Sequence, residues 1–223
     1  MALCVAVDGP AGAGKSAAAR ELARRLGILH LDTGAMYRAV GLAALEAGID
    51  LADAEAVARV SASAEVDVTF ENGRQRTWLN GRDVSGDIRM PEAAAASSMV
   101  SAVGAVRDAM AARQRAIASG TGAVLDGRDI GTRVLPDAPV KFFLTASPKI
   151  RARRRLNELL AKGIRQTFEQ ALADVEARDL RDTTREIDPL RPASDAIIID
   201  NSEMTLDEEV GRMLEIARHK VNI

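Results

Sequence analysis

The stretch GPAGAGKS, Gly9 to Ser16, spaces glycines, a lysine and a hydroxyl in the pattern G-x-x-x-x-G-K-[ST]. Glycines tolerate positive φ, so successive backbone N–H groups can face one anion, and a helix starting at Lys15 adds its partial positive charge. Lys15 then reaches the outer phosphates of a polyphosphate, and the Ser16 hydroxyl is placed to ligate a magnesium ion bridging them. A second cluster, VLDGRDIG from Val124 to Gly131, ends an apolar run on Asp126 and follows it with Gly127, Arg128 and Asp129. In a third, DTGAMYR, the Thr33 hydroxyl and Arg38 guanidinium lie five residues apart, where they can converge on an anion. In a fourth, RDLRDTTR, Arg178, Arg181 and Arg185 recur at helical spacing, with Asp182 among them.

These clusters need strands to end on and helices to start from. LCVAVD, Leu3 to Asp8, is a continuous apolar run of strand length, as expected for a strand buried on both faces of a parallel sheet. A helix follows from Lys15 and stops at Gly27, then a short strand ILHLD and a helix over 35–47. After a helix near 53–62 the pattern changes to alternating apolar and polar residues with two Asn-Gly pairs, the preferred type I′ turns. A small antiparallel insertion is therefore expected over about 63–90. Two alanine-rich helices come next, one opened by Pro91 and one over about 106–117. GAVLD and VKFFLTA resume the buried-strand pattern. Helices over 148–162 and 167–178, a strand AIIID and a helix from Leu206 complete the chain. The sum predicts one α/β domain over 1–223, three-layered, with five parallel strands and one insertion.

Composition narrows the partners. The 223 residues carry a net charge of −2, which gives no global field for nucleic acid, so any anion must be gripped locally. Arginine outnumbers lysine by 25 to 5, so each arginine has to be judged by its position. No window approaches the roughly 20 apolar residues of a membrane span. The single cysteine, Cys4, sits in an apolar run and fits a reducing compartment, so the expected location is the cytoplasm. His30 and His219 read as structural or surface residues, and Trp78 as packing within the insertion. No Asn-Lys-x-Asp sequence is present to read guanine, which argues against a regulatory GTPase. What remains is a small-molecule kinase or a nucleotide-binding module that does not transfer.

VDGPAGAGKS, LDTGAMYR, VLDGRDIGT and RDLRDTTREIDPL, in this order along the chain, resemble the bacterial cytidylate kinases. The resemblance covers essentially the whole chain, insertion included. It implies the phosphate-loop kinase fold, with the insertion in the acceptor-binding region and a lid over about 148–166. It also implies transfer of the ATP γ-phosphoryl group to CMP and dCMP with magnesium, by a monomer. The nucleotide-binding stretch carried over is Gly9, Pro10, Ala11, Gly12, Ala13, Gly14, Lys15, Ser16 and Ala17. Thr33 and Arg38 hold the acceptor's phosphate. Ser98, Arg107 and Asp129 line the base pocket, with Arg128 near the substrate phosphate or base. Arg178 and Arg185 face phosphates and Asp182 the ribose. Asp126, matched to the first Asp of a similar Asp-Gly sequence in adenylate kinases, lies near the magnesium shell with Ser16. One arginine of RARRR, Arg151 to Arg155, is expected to clamp the transferred group.

Cytosine chemistry agrees with that pocket. Its edge offers an amino donor at N4 and acceptors at N3 and O2, so a carboxylate such as Asp129 and a donor, Arg107 or Arg128, complement it. Uracil would set a carbonyl against the carboxylate. A phosphate acceptor is largely ionised at neutral pH, so no general base is needed, and Lys15, Arg128 and Arg185 are the expected catalytic cations. Other small acceptors, UMP, AMP or shikimate, remain the alternatives.

Overall fold

The computed structural model describes residues 3–161 and 163–222. Its elements in chain order are β1 (Cys4–Asp8), α1 (Lys15–Leu26), β2 (Leu29–Asp32), α2 (Thr33–Glu46), α3 (Ala54–Ser63), β3 (Val66–Glu71), β4 (Arg74–Leu79) and β5 (Arg82–Asp83). Then follow α4 (Pro91–Val100), α5 (Gly104–Thr121), β6 (Ala123–Asp126), β7 (Val140–Thr145), α6 (Pro148–Ala161), α7 (Phe168–Thr184), β8 (Ile197–Asp200) and α8 (Leu206–Val221).

Five of these strands form a parallel sheet in the order β2-β6-β1-β7-β8. The apolar runs are continuous because both faces are covered. Val5, Val7, Val124, Phe142 and Leu144 pack against α1 and α8. Ala6, Ala123 and Leu125 face the other way, toward α2, α4 and α5. Each of the larger of these side chains contributes about 1.5–3 kcal/mol on burial. β3, β4 and β5 form the expected antiparallel insertion. Its turns are the two Asn-Gly pairs, with φ of 51° and 72° at Asn72 and Gly73 and 50° and 76° at Asn80 and Gly81, the positive pair that a type I′ turn requires. Trp78 donates its indole N–H to Thr69 Oγ1 across that sheet at 2.9 Å.

Three helices differ from expectation. α2 starts at Thr33, two residues early, because the Asp32 side chain accepts from Ala35 N and caps it. α5 extends at both ends, beginning at Gly104 and running through Gly120 before Gly122, with a φ of 75°, ends it. α7 continues past Arg178 to Thr184: a capping box of Thr167 and Gln170 starts it, and Ala171 and Val175 bury against Ala152 of α6. α6 is observed to Ala161; its expected last residue, Lys162, lies outside the described residues. Among the described residues no helix is long and apolar enough to cross a membrane.

Candidate active site

The carboxyl ends of β1, β2 and β6 open into one cleft of about 970 Å³, where a parallel α/β sheet places its ligands. The phosphate loop forms one wall. Gly12 and Gly14 take φ of 72° and 88°, and Gly14 caps α1 with no side-chain hydrogen bond, which leaves the helix's first amides for an anion. Lys15 is buried, and its Nζ donates to Pro10 O at 2.7 Å. Burial and the neighbouring Arg128 charge hold its ammonium well below the usual lysine range.

Asp126 ends β6 level with Asp32 of β2 and Val7 of β1. Its Oδ2 accepts from Ser16 Oγ at 2.6 Å, Oδ1 lies 2.7 Å from His30 Nε2, and its backbone oxygen accepts from Thr33 Oγ1 at 2.6 Å. Burial opposes its ionisation, but the contacts with His30 and Ser16 and the Lys15 charge outweigh that and keep its carboxyl below the ordinary range. Ser16 and Asp126 thus present adjacent hard oxygens beside the phosphate loop, a donor set that fits magnesium. Since Asp32 is the cap of α2, the Thr33 hydroxyl is free of that duty. Arg38 Nη2 donates to Asp32 Oδ2 at 2.8 Å.

The opposite wall is cationic. Arg128 donates through Nε to Asp182 Oδ2 at 2.7 Å. Arg107 is fully buried, pairs with Asp129, donates to Asp188 Oδ2 at 3.0 Å and lies 5.9 Å from the Tyr37 ring centre. Arg185 follows α7 as its C-cap and lies 3.8 Å from Asp129 Oδ1. Arg178 has a buried Nε without a hydrogen bond, as does Arg185 at Nη2. Burial, with Arg128 close by, lowers the Arg178 guanidinium to about 10. Ser98 also lines the cleft, at 3.4 Å from Arg181 Nε, and its neighbour Ser97 shares that lining. The cleft therefore gathers desolvated cations that the protein does not fully pair, an arrangement suited to polyanionic ligands.

The sequence singled out neither Asp8 nor the division of labour within RARRR. Asp8 accepts from the amides of Ile130 at 2.8 Å and Gly131 at 2.7 Å, which fixes the turn just beyond Asp129. Arg151 is buried and binds Ala11 O of the phosphate loop at 3.0 Å and Asp179 of α7 at 2.6 Å. Arg154 binds the side chain and backbone oxygens of Asn201, both at 2.9 Å. Of the run, Arg155 lines the cleft, together with Arg165 beyond α6. His30 is buried, with its ring against the Asp126 carboxylate. His219 is exposed on α8.

Fold and site define a class: an α/β protein that binds a phosphorylated nucleotide on a phosphate loop and sets a second anion site against it. A family model described as cytidylate kinase matches residues 5–219, and the chain belongs to that family. It is 50% identical over 220 residues to a cytidylate kinase of Mycolicibacterium paratuberculosis, covering 98% of this chain and 96% of that one. With a cytidylate kinase of Pelotomaculum thermopropionicum it shares 51% over 207 residues, 92% of each chain. A solved structure of an uncharacterized protein from Eubacterium ventriosum, 13% identical, superposes with a TM-score of 0.51 over 96% of this chain and 98% of that one; it shares the fold.

Proposed function

We propose that the protein transfers the γ-phosphoryl group of ATP to CMP and dCMP. An oxygen of the acceptor's phosphate attacks the γ-phosphorus, the bond from that phosphorus to the β–γ bridging oxygen breaks, and ADP leaves. The observation carrying the proposal is the cleft itself, where the phosphate loop faces a partly unpaired set of arginines beside an Arg107–Asp129 pair. In this reading the loop residues Gly9 to Ala17 hold the triphosphate. Thr33, Arg38, Arg178 and Arg185 hold the acceptor's phosphate, while Asp182 meets the ribose. Asp129, Arg107 and Ser98 read cytosine, and Arg128, Lys15 and Arg185 screen the two approaching anions.

Ser16 and Asp126 would hold magnesium. Magnesium held there would offset the negative charge that builds as the phosphoryl group moves. The segment over about 148–166 serves as the lid that excludes water, with Arg155, which lines the cleft, as the lid arginine. The acceptor is already a phosphate dianion near neutrality, so no side chain needs to remove a proton.

A coupled assay of ADP release across CMP, dCMP, UMP, AMP and shikimate, at fixed ATP and magnesium, tests the proposal. CMP and dCMP are expected to exceed the others in kcat/KM by at least about 10-fold, the discrimination expected of one well-placed polar pair. A higher kcat/KM for UMP, AMP or shikimate would overturn it.

A further inference from the structure

The antiparallel insertion reaches the acceptor corner through the side chain of Gln75 on β4. Asp32 N donates to Gln75 Oε1 at 2.8 Å, and Gln75 Nε2 donates to Asp32 O at 3.2 Å. The chemistry fixes which way this amide is turned, since an N–H needs the oxygen and a C=O needs the NH2 group. Nε2 also lies 3.3 Å from Thr77 Oγ1, which holds the amide from its own strand. Asp32 is the last residue of β2, and β2 is an edge of the parallel sheet. One primary amide thus supplies both bonds that a neighbouring strand would have made to Asp32.

Asp32 is a junction. Its Oδ1 accepts from Ala35 N at 3.0 Å and caps α2, and its Oδ2 accepts from Arg38 at 2.8 Å. The next residue, Thr33, bonds to Asp126 O. The orientation of the Asp32 peptide therefore sets the start of α2, the Arg38 guanidinium and the Thr33 hydroxyl together.

We infer that Gln75 is a positioning residue through which the insertion holds the acceptor-phosphate corner of Asp32, Thr33 and Arg38. The inference rests on the proposed assignment of Thr33 and Arg38 to the acceptor's phosphate. It gives the insertion a task separate from base recognition, and it confines that task to one substrate, since among the described residues the Gln75 side chain hydrogen-bonds to Asp32 and Thr77 and to no residue of the phosphate loop.

The test compares Gln75→Ala, Gln75→Glu and Arg38→Ala with the parent for kcat, KM for CMP, KM for ATP and melting temperature. Gln75→Glu keeps the size and the acceptor for Asp32 N but sets a second acceptor against Asp32 O. Both Gln75 variants should raise KM for CMP about 3- to 10-fold, the range that one or two neutral hydrogen bonds contribute, with KM for ATP and kcat within about 2-fold. A charge-assisted contact is lost in Arg38→Ala, so its KM for CMP should rise more than about 10-fold. If Arg38→Ala behaves so but neither Gln75 variant moves KM for CMP, the inference falls and the acceptor site stands. No change in any of the three removes the acceptor-phosphate assignment and the inference with it. Equal rises in both KM values with a lowered melting temperature would mark Gln75 as a general brace and also overturn the inference.

Discussion

Asp126 and Asp129 are three residues apart, yet their surroundings divide their chemistry. Asp126 meets Ser16 and His30 beside the phosphate loop, whereas Asp129 meets Arg107 and lies near Arg185 on the far wall. Asp126→Asn removes a charge from the proposed magnesium donor set and should lower kcat about 10- to 100-fold with every acceptor. Asp129→Asn should spare turnover more and narrow the CMP-to-UMP ratio of kcat/KM about 10-fold, because an amide can donate to uracil's carbonyl. Measuring kcat/KM for both acceptors in both variants decides it, and equal losses throughout would contradict the division. The two carboxylates were legible in the sequence because they stand where an apolar run stops. Their partners were not: His30 lies 96 residues from Asp126, Arg107 lies 22 from Asp129, and no local spacing encodes either pairing. Arg107 entered the base pocket through the family resemblance, cytosine's chemistry leaving the choice between it and Arg128 open.

At the scale of elements, the helices and strands were largely readable because periodicity and turn chemistry are local. The two Asn-Gly turns and the five buried strands formed as read, and the errors fell at helix ends, where a cap such as Asp32 or a packing partner such as α6 decides. The bracing of elements against one another was not readable. Arg151 of α6 holds the phosphate loop through Ala11 O, and the backbone of the same residue crowds Gly12. Gly12 and Gly73 share a φ of 72°, so alanine at either position suffers similar backbone strain, about 1 kcal/mol. A Cβ at Gly12 would lie 2.9 Å from Arg151 O, whereas one at Gly73 would meet nothing within 4 Å. Gly73→Ala should therefore cost about 1 kcal/mol in denaturant unfolding and leave kcat/KM unchanged. Gly12→Ala should cost about 2–4 kcal/mol and raise KM for ATP, since overpacking adds to strain. Matching losses of stability in the two variants would mean that α6 does not brace the loop.

For the whole molecule, burying carboxylates under the cleft ties stability to pH in two separate windows. Burial, which the amides of Gly131 and Ile130 only partly oppose, raises Asp8 from 3.8 to about 6. A raised carboxyl binds its proton more tightly in the folded state, so its contribution is complete below about pH 4 and is lost as pH rises through about 6. Glu209, raised by burial, acts in the same sense. Asp126 and Asp182 act in the opposite sense. Burial opposes their ionisation, but His30 and Ser16 at Asp126, and Arg128 at Asp182, hold both below 3.8, so their contribution is lost only as pH falls beneath that range. Asp8→Asn addresses the first window, because groups that do not interact with Asp8 cancel in the difference between variant and parent. The variant's amide sets an NH2 group against one backbone N–H, a penalty that does not vary with pH. Across pH 4 to 7 the parent should lose up to about 3 kcal/mol of unfolding free energy relative to Asp8→Asn, a shift of roughly two units at about 1.4 kcal/mol each. Urea unfolding at half-unit steps of pH reads this directly, and a difference that stays flat, or grows with pH, would show that Asp8 is ionised in the fold throughout that range.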